Sequence, residues 1–378
     1  MKKNNSLFLL SFANIGGTGL TAIFWFIIAA LLVPSEYGQI QYFISIAGLA
    51  YVISLLGTSE VISVYTAKKI KLVSTLTLLS IITGIIASIV VLFLFSKIEI
   101  SLLIIGFIIN DIALAYLIGN KFFGKYSKYL ITQKGLTFGL GITFYFIFGV
   151  DGILFGLALS YIHFIILIFK IYKSSKINLP LLKTRLSFVT NNYWINTVGI
   201  AKNNLDKIIV VPLIGFESLG NYALALQVYA VSMIISKIIY QYVLPHDSVG
   251  ETTAKIKIFA LLSSIIITLL TISLSPFIMP IIFPEYVEAI SAIQIISLAI
   301  IPSTVTLLLT SKILGNEESK ILLSTRIILA IIFIGLVVIL TPIYGIVGTT
   351  TGFVIASVAQ CMILIVYSKL KWIVRVIS

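Results

Sequence analysis

The sequence predicts an all-α integral membrane protein of about twelve transmembrane helices, arranged as two parallel six-helix lobes. Three observations carry that expectation. Apolar runs of more than eighteen residues recur along the chain, basic residues fall almost wholly in alternate loops, and the two halves echo each other. Of 378 residues, 59% are hydrophobic and 10% charged, with a mean hydropathy of +1.15. A water-soluble core of this size could not hide so much apolar surface, so the solvent is lipid. At ~1.5 Å rise per residue, each run can cross a ~30 Å hydrocarbon layer as a helix. The period-2 alternation of a membrane β-barrel is not seen.

Taken in order, the chain opens with MKKNN and an apolar run too long for a signal peptide and without a small-residue cleavage site, so it is expected to remain as span one, 8–33. Pro34-Ser35-Glu36-Tyr37-Gly38 turns the chain into span two, 38–62, and Lys68, Lys69 and Lys71 close it. Spans three to six are expected at 72–95, 101–120, 131–149 and 152–170. The longest polar interruption, KSSKINLPLLKTR at 173–185, lies near the midpoint. It suggests an N-terminal lobe 1–172, a cytoplasmic linker 173–187 and a C-terminal lobe 188–378. The second lobe then holds spans at 188–214, 218–242, 257–278, 289–311, 321–341 and 344–368.

Loop charge gives the orientation. One set of loops carries Lys2, Lys3, Lys68, Lys69, Lys71, Lys121, Lys125, Lys128, Lys173, Lys176, Lys183, Arg185, Lys255, Lys257, Lys312, Lys320, Lys369, Lys371 and Arg375. The other carries only Lys97, together with Glu36, Glu99, Asp151, Glu217, Glu285 and Glu288. The positive-inside rule then places a multi-pass protein in the cytoplasmic (inner) membrane with both termini cytoplasmic. This pattern also accounts for the net charge of +13 without nucleic acid, since no basic stretch interleaves with aromatics on a soluble segment.

The halves echo at several points. Ile118-Gly119-Asn120 answers Leu314-Gly315-Asn316, and Ser127-Lys128-x-Leu130-x-x-x-Lys134 answers Ser319-Lys320-x-Leu322-x-x-x-Arg326, with Ser127 and Ser319 standing 192 residues apart. Each leads to a Gly-rich start, Asp151-Gly152-x-x-x-Gly156 against Tyr344-Gly345-x-x-Gly348, and Glu36-Tyr37-Gly38 pairs with Ser218-Leu219-Gly220. Six spans per copy make the repeat parallel, and two parallel lobes facing each other across a central cavity is the geometry of an alternating-access transporter.

No catalytic, metal-ligand or cofactor motif is seen; there is no GxSxG or HExxH, and the glycine turns lack Walker or Rossmann context. The expectation is a non-enzyme without cofactor or metal. Cys361, the single cysteine, sits in an apolar run as a small hydrophobe. His246 is expected in a solvated loop beside Asp247, and His163, inside span six, fits either an interhelical hydrogen bond or a proton relay.

The informative residues are ionisable groups within spans, since a charge at a helix centre costs ~2.5–3.5 kcal/mol on insertion scales and must be paired, face water or snorkel. These are Asp111, Lys134, Lys202, Asp206, Lys207, Lys237 and Arg326, with Glu60 near the end of span two. For Lys134, Arg326 and Glu60, snorkelling to the interface stays open. Span seven, NNYWINTVGIAKNNLDKIIVVPL at 191–213, adds Asn196, Asn203 and Asn204 to three charges, so at least one of its faces is expected on a wet cavity. Lys202 and Asp206 stand at i, i+4, and Asp206 either lines that cavity or neutralises a neighbouring lysine. Five basic residues stand against three acidic ones within spans, a balance that attracts phosphate or carboxylate and repels cations. The tyrosines Tyr193, Tyr222, Tyr229 and Tyr240 offer hydroxyls toward sugars or act as interfacial anchors.

The run Asp206-Lys207-Ile208-Ile209, Gly215 and Gly220-Asn221-Tyr222-Ala223-Leu224-Ala225 resembles the seventh-to-eighth span stretch of Wzx-type polysaccharide (O-antigen) flippases of the multidrug/oligosaccharidyl-lipid/polysaccharide (MOP) exporter superfamily. Pro34-Ser35-Glu36-Tyr37-Gly38 and Pro342-Ile343-Tyr344-Gly345-Ile346-Val347-Gly348 are similar to other recurrent stretches of that family. The resemblance implies two six-helix lobes in a V shape and export of an oligosaccharide linked to polyprenyl phosphate or diphosphate. Implied partners are this polyprenyl-linked glycan, membrane lipids, H+ or Na+ as coupling ion, and a polysaccharide polymerase or glycosyltransferase. From the polar residues within spans, and not from the resemblance, a substrate-binding cavity is expected to draw on Lys202, Asp206, Lys207, Asn203, Asn196, Lys237, Asp111 and Arg326. Arginines are fewer than is usual for the family, only Arg185, Arg326 and Arg375. Two other readings compete: a multidrug antiporter, although span one lacks the carboxylate expected for ion coupling, and a membrane glycan polymerase or scaffold, although every loop outside is short.

Overall fold

The computed structural model describes the backbone of residues 2–249, 251–315 and 319–377, and the side chains of 13–369 apart from 202, 245, 250 and 316–320. Among the described residues every regular element is a helix: α1 (Lys2–Leu31), α2 (Pro34–Ser54), α3 (Ser59–Ala67), α4 (Val73–Phe95), α5 (Ile98–Gly119), α6 (Phe123–Phe148), α7 (Val150–Leu159), α8 (Ile165–Tyr172), α9 (Leu179–Ser232), α10 (Ile234–Ser248), α11 (Ala254–Ile282), α12 (Ala289–Ser297), α13 (Ile300–Gly315) and α14 (Ser319–Ile377). Several spans are broken helices. The second is α2 and α3, bent by 44°; the sixth is α7 and α8 joined through a 3-10 turn, Ile162–Phe164. The long helices α9 and α14 are each two spans, divided at Gly215 (φ 83°) and Gly345 (φ 58°), a left-handed backbone that glycine adopts without the Cβ clash. The second part of α9 continues into α10, and α12 with α13 forms the tenth span. Twelve spans result among the described residues. By length and apolarity alone eight helices qualify to cross a membrane, or nine with the bent pair, because the polar α6 and the first part of α9 fall short and α14 scores as one run.

By internal packing the chain forms two compact units: 1–28 with 42–205, and 29–41 with 206–378. The division passes through α1 and, at Leu205, through the seventh span, not through the polar 173–187 segment, whose last residues already belong to α9.

In the first unit, hydroxyls and an amide add hydrogen bonds between helices, where lipid supplies no hydrophobic driving force for their association. Ser88 and Ser101 exchange hydrogen bonds with each other's carbonyls at 2.9 and 2.8 Å, joining α4 to α5. Gln133 Nε2 donates to Thr137 Oγ1 at 2.8 Å and to Ser160 Oγ at 3.3 Å, and Thr137 donates to Ser160 Oγ at 3.0 Å, so the buried amide between α6 and α7 holds two hydroxyls that are themselves hydrogen-bonded. Lys97, the lone lysine of its loop set, donates to Asp151 at 2.6 Å and lies 3.4 Å from Glu99. Burial opposes its charge, but the two carboxylates outweigh that and hold its ammonium above the ordinary lysine range. The exception to the charge bias is therefore a neutralised one.

In the second unit, Gly38 of α2 and Gly220 of α9 make a reciprocal crossing. A Cβ on Gly38 would strike the Phe216 carbonyl, and one on Gly220 the Pro34 carbonyl. Gly38 and Gly220 are 182 residues apart, as are Pro34 and Phe216, so each copy of the repeat meets its counterpart in the same way. That is the signature of a two-fold relation, and it supports the pairing of Tyr37-Gly38 with Leu219-Gly220. The other glycine pairing needs correction. A Cβ on Gly152 would strike the Phe144 carbonyl and one on Gly348 the Leu340 carbonyl, and both pairs are offset by 196. Gly149, Gly152 and Gly156 therefore answer Gly345, Gly348 and Gly352. The four residues gained over the 192 offset of the preceding loop are about one helical turn, which leaves side chains on nearly the same face.

Candidate functional site

The second unit holds a half-open cavity of about 350 Å³ built from four helices. From the eighth span come Tyr229, Met233, Lys237 and Tyr240, spaced by four, four and three residues, so they stack on one helical face. The tenth span adds Ser303, Thr306 and Thr310 in a like stripe, α14 adds Thr325 and Arg326 before its break, and Gln360 comes after it. Tyr229 donates to Ser303 at 2.7 Å, and Ser236 and Thr304 are 2.7 Å apart just behind the lining. Met233 is buried and packs as the apolar floor, its sulfur 4.0 Å from the Thr304 hydroxyl.

Two cations face this space, Lys237 and Arg326, and no carboxylate lines it. Among the described residues neither has a carboxylate within 4.0 Å. With hydroxyls and an amide around them, these groups can hold a phosphate by charge and the adjoining polyol by hydrogen bonds.

The remaining predicted residues lie elsewhere. Asp206 is 4% exposed, accepts from Tyr222 Oη at 2.9 Å and lies 3.5 Å from the Lys207 ammonium, so of the two roles open to it the geometry gives neutralisation; neither it nor Lys207 lines the cavity. The side chain of Lys202 lies outside the described residues. In the first unit, Asn196 is half-buried and Asn203 exposed on α9, while Asn204 packs onto Gly48 and donates to the Ile200 carbonyl at 2.9 Å. Asp111, also there, accepts from the Ser59 backbone and faces Glu60, with its Oδ2 buried and without a hydrogen bond. The Lys134 stem runs along α1, where a Cβ on Gly17 would lie 3.5 Å from its Cγ. His163 meets the Ser160 carbonyl of its own span at 2.9 Å and the Tyr129 carbonyl of α6 at 3.3 Å, the second of these an interhelical contact.

Sequence reasoning missed the threonine and serine stripe of the tenth span and Gln360, although the helical spacing of Ser303, Thr306 and Thr310 carries that signal. It also placed Asp247 in a solvated loop. Asp247 instead is a clasp past the apolar part of span eight, accepting from Lys257 Nζ at 2.8 Å, Ser311 at 2.7 Å and Thr253 at 2.8 Å. Burial works against its charge, yet these donors together hold the carboxyl below its ordinary range.

The fold is shared with solved transporters. A MATE-family multidrug resistance transporter of the MOP superfamily in an inward-facing conformation matches with a TM-score of 0.69 at 14% identity, over 97% of this chain and 98% of that one. The lipid II flippase MurJ in an inward closed conformation matches with a TM-score of 0.71 at 16% identity, over 96% and 87%. A MOP superfamily transporter from Pyrococcus furiosus, described as having a binding pocket of reverse polarity, matches with a TM-score of 0.61 at 15% identity, over 97% and 95%. At these identities the likeness establishes the twelve-helix fold. No family model and no curated protein matches the chain.

Proposed function

We propose that this protein is a transporter that flips an anionic, lipid-linked oligosaccharide, carried on polyprenyl phosphate or diphosphate, across the cytoplasmic membrane for surface glycan assembly. One observation carries the reading: the 350 Å³ cavity of the second unit holds Lys237 and Arg326 among hydroxyls and an amide, with no carboxylate in its lining. In a low-dielectric setting such a site favours phosphate and disfavours a cationic drug. The fold likeness to a lipid II flippase agrees with a lipid-linked substrate. The prenyl chain stays in lipid. The lysine bias of the loops, with Lys97 neutralised, supports both termini on the cytoplasmic side.

The test is transport in proteoliposomes of a fluorescent polyprenyl-diphosphate oligosaccharide, set against export of a cationic dye. The reading expects the glycolipid to become accessible on the far face and the dye to stay put. Dye export without glycolipid transport would replace it with a multidrug exporter.

A further inference from the structure

The first unit holds a larger cavity, about 520 Å³, where the C-terminal end of α5, the first turns of α6 and α8 converge. It shares no residue with the proposed transport site. Lys125 and Lys128 reach it from one face of α6 and Lys170 from α8, and no carboxylate lines it. Among the described residues none of these lysines has a carboxylate within 4.0 Å. The Lys125 ammonium lies 5.1 Å from the centre of the Phe122 ring, a cation–π contact. Tyr116 and Tyr129 also line it, and Tyr129 stacks on His163 with ring centroids 5.6 Å apart. The nitrogens of His163 both face carbonyls, so its N–H donation is spent on the backbone and its ring serves here as a surface.

We propose that this cavity binds the phosphate headgroup of an anionic membrane lipid, as a second site separate from the transport path. Three uncompensated lysines around a pocket of headgroup size give the charge. Lipid, in preference to free phosphate, follows from the neighbouring surface. Ile162, Ile165, Ile166 and Phe169 of the sixth span stand 52–68% exposed beside Lys170, a wall along which acyl chains can lie while the ammonium groups hold the head.

The test is native mass spectrometry of the full chain in detergent, titrated with phosphatidylglycerol, phosphatidylcholine or inorganic phosphate. The variant is Lys125→Gln/Lys128→Gln/Lys170→Gln. A control, Lys68→Gln/Lys69→Gln/Lys71→Gln, removes equal charge from another exposed cluster, and melting temperatures verify that both fold. Each lysine near an anionic headgroup contributes about fivefold, so the triple variant is expected to lose phosphatidylglycerol binding on the order of a hundredfold. The control should bind as the parent does, and phosphatidylcholine and millimolar phosphate should bind neither. Equal phosphatidylglycerol binding by parent and triple variant overturns the site, as does an equal loss in the control. Tight, variant-sensitive binding of phosphate without lipid preference overturns the lipid assignment.

Discussion

Spans five and six of the first half and spans eleven and twelve of the second share one hairpin and enclose different interiors. Both turn at a left-handed glycine, Gly149 or Gly345, and both press a glycine, Gly152 or Gly348, onto a backbone carbonyl of the preceding helix. In the first copy the space beside the hairpin is filled by the closed network of Gln133, Thr137 and Ser160. In the second, Thr325, Arg326 and Gln360 border an open 350 Å³ cavity with Lys237 opposite. The repeated scaffold tolerates no change where backbones touch. Away from those contacts the copies have diverged: beside the first hairpin lies a buried polar seam, with a cationic cavity only at the lysine-bearing ends of α6 and α8, and the second opens a cationic space around Lys237 and Arg326.

The largest expected effect tests the shared part. Gly38→Leu would force a side chain into the Phe216 carbonyl and should cost about 3 kcal/mol or more, read as loss of folded protein on size-exclusion chromatography. Gly16→Ala, with open space around it, should leave the melting temperature unchanged. A folded, stable Gly38→Leu protein would break the claim that the crossing is backbone-tight.

Next comes the Asp247 clasp, which ties three helices of the second unit alone. Asp247→Ala leaves Lys257 without its carboxylate and should cost about 2–3 kcal/mol in thermal unfolding. Because the folded carboxyl sits below the ordinary ~3.9, its contribution is complete above about pH 4 and is lost only as the pH falls through the lower folded value. Loss of that stability already between pH 7 and 5 would contradict the pairing.

The two interiors should then separate by readout. Arg326→Gln or Lys237→Gln should lower glycolipid transport about tenfold, the value of one charge-assisted phosphate contact, with the melting temperature kept. Smallest is Gln133→Leu, which removes hydrogen bonds of the first copy and should cost about 1 kcal/mol of stability while transport per folded molecule is unchanged. The opposite pattern, with Gln133→Leu impairing transport and the cations silent, would reverse the assignment of roles.

Much of this architecture can be read from residues. Apolar runs and lysine spacing mark the spans, and Gly38 with Gly220 marks the repeat, because those signals are local in sequence. The polar helix α6, Phe123–Phe148, begins eight residues before the expected 131 since Lys125, Lys128 and Gln133 mask its apolar face. The roles of the span-seven charges were not legible. Whether Asp206 meets a substrate or Tyr222 depends on which face α9 turns to its own continuation after Gly215, and spacing alone does not fix that. The tenth-span stripe of Ser303, Thr306 and Thr310 was legible in principle, but uncharged hydroxyls are common helix-helix glue and carry little signal alone.

The central claim is that the open interior of the second copy selects for phosphate. Affinities of purified protein for a polyprenyl diphosphate and for the matching neutral polyprenol, in the parent and in Lys237→Gln/Arg326→Gln, test it most directly. The account predicts that the parent prefers the diphosphate by on the order of a hundredfold, two charged contacts at about tenfold each, and that the double variant binds both alike. An equal preference for the diphosphate in parent and double variant would contradict it.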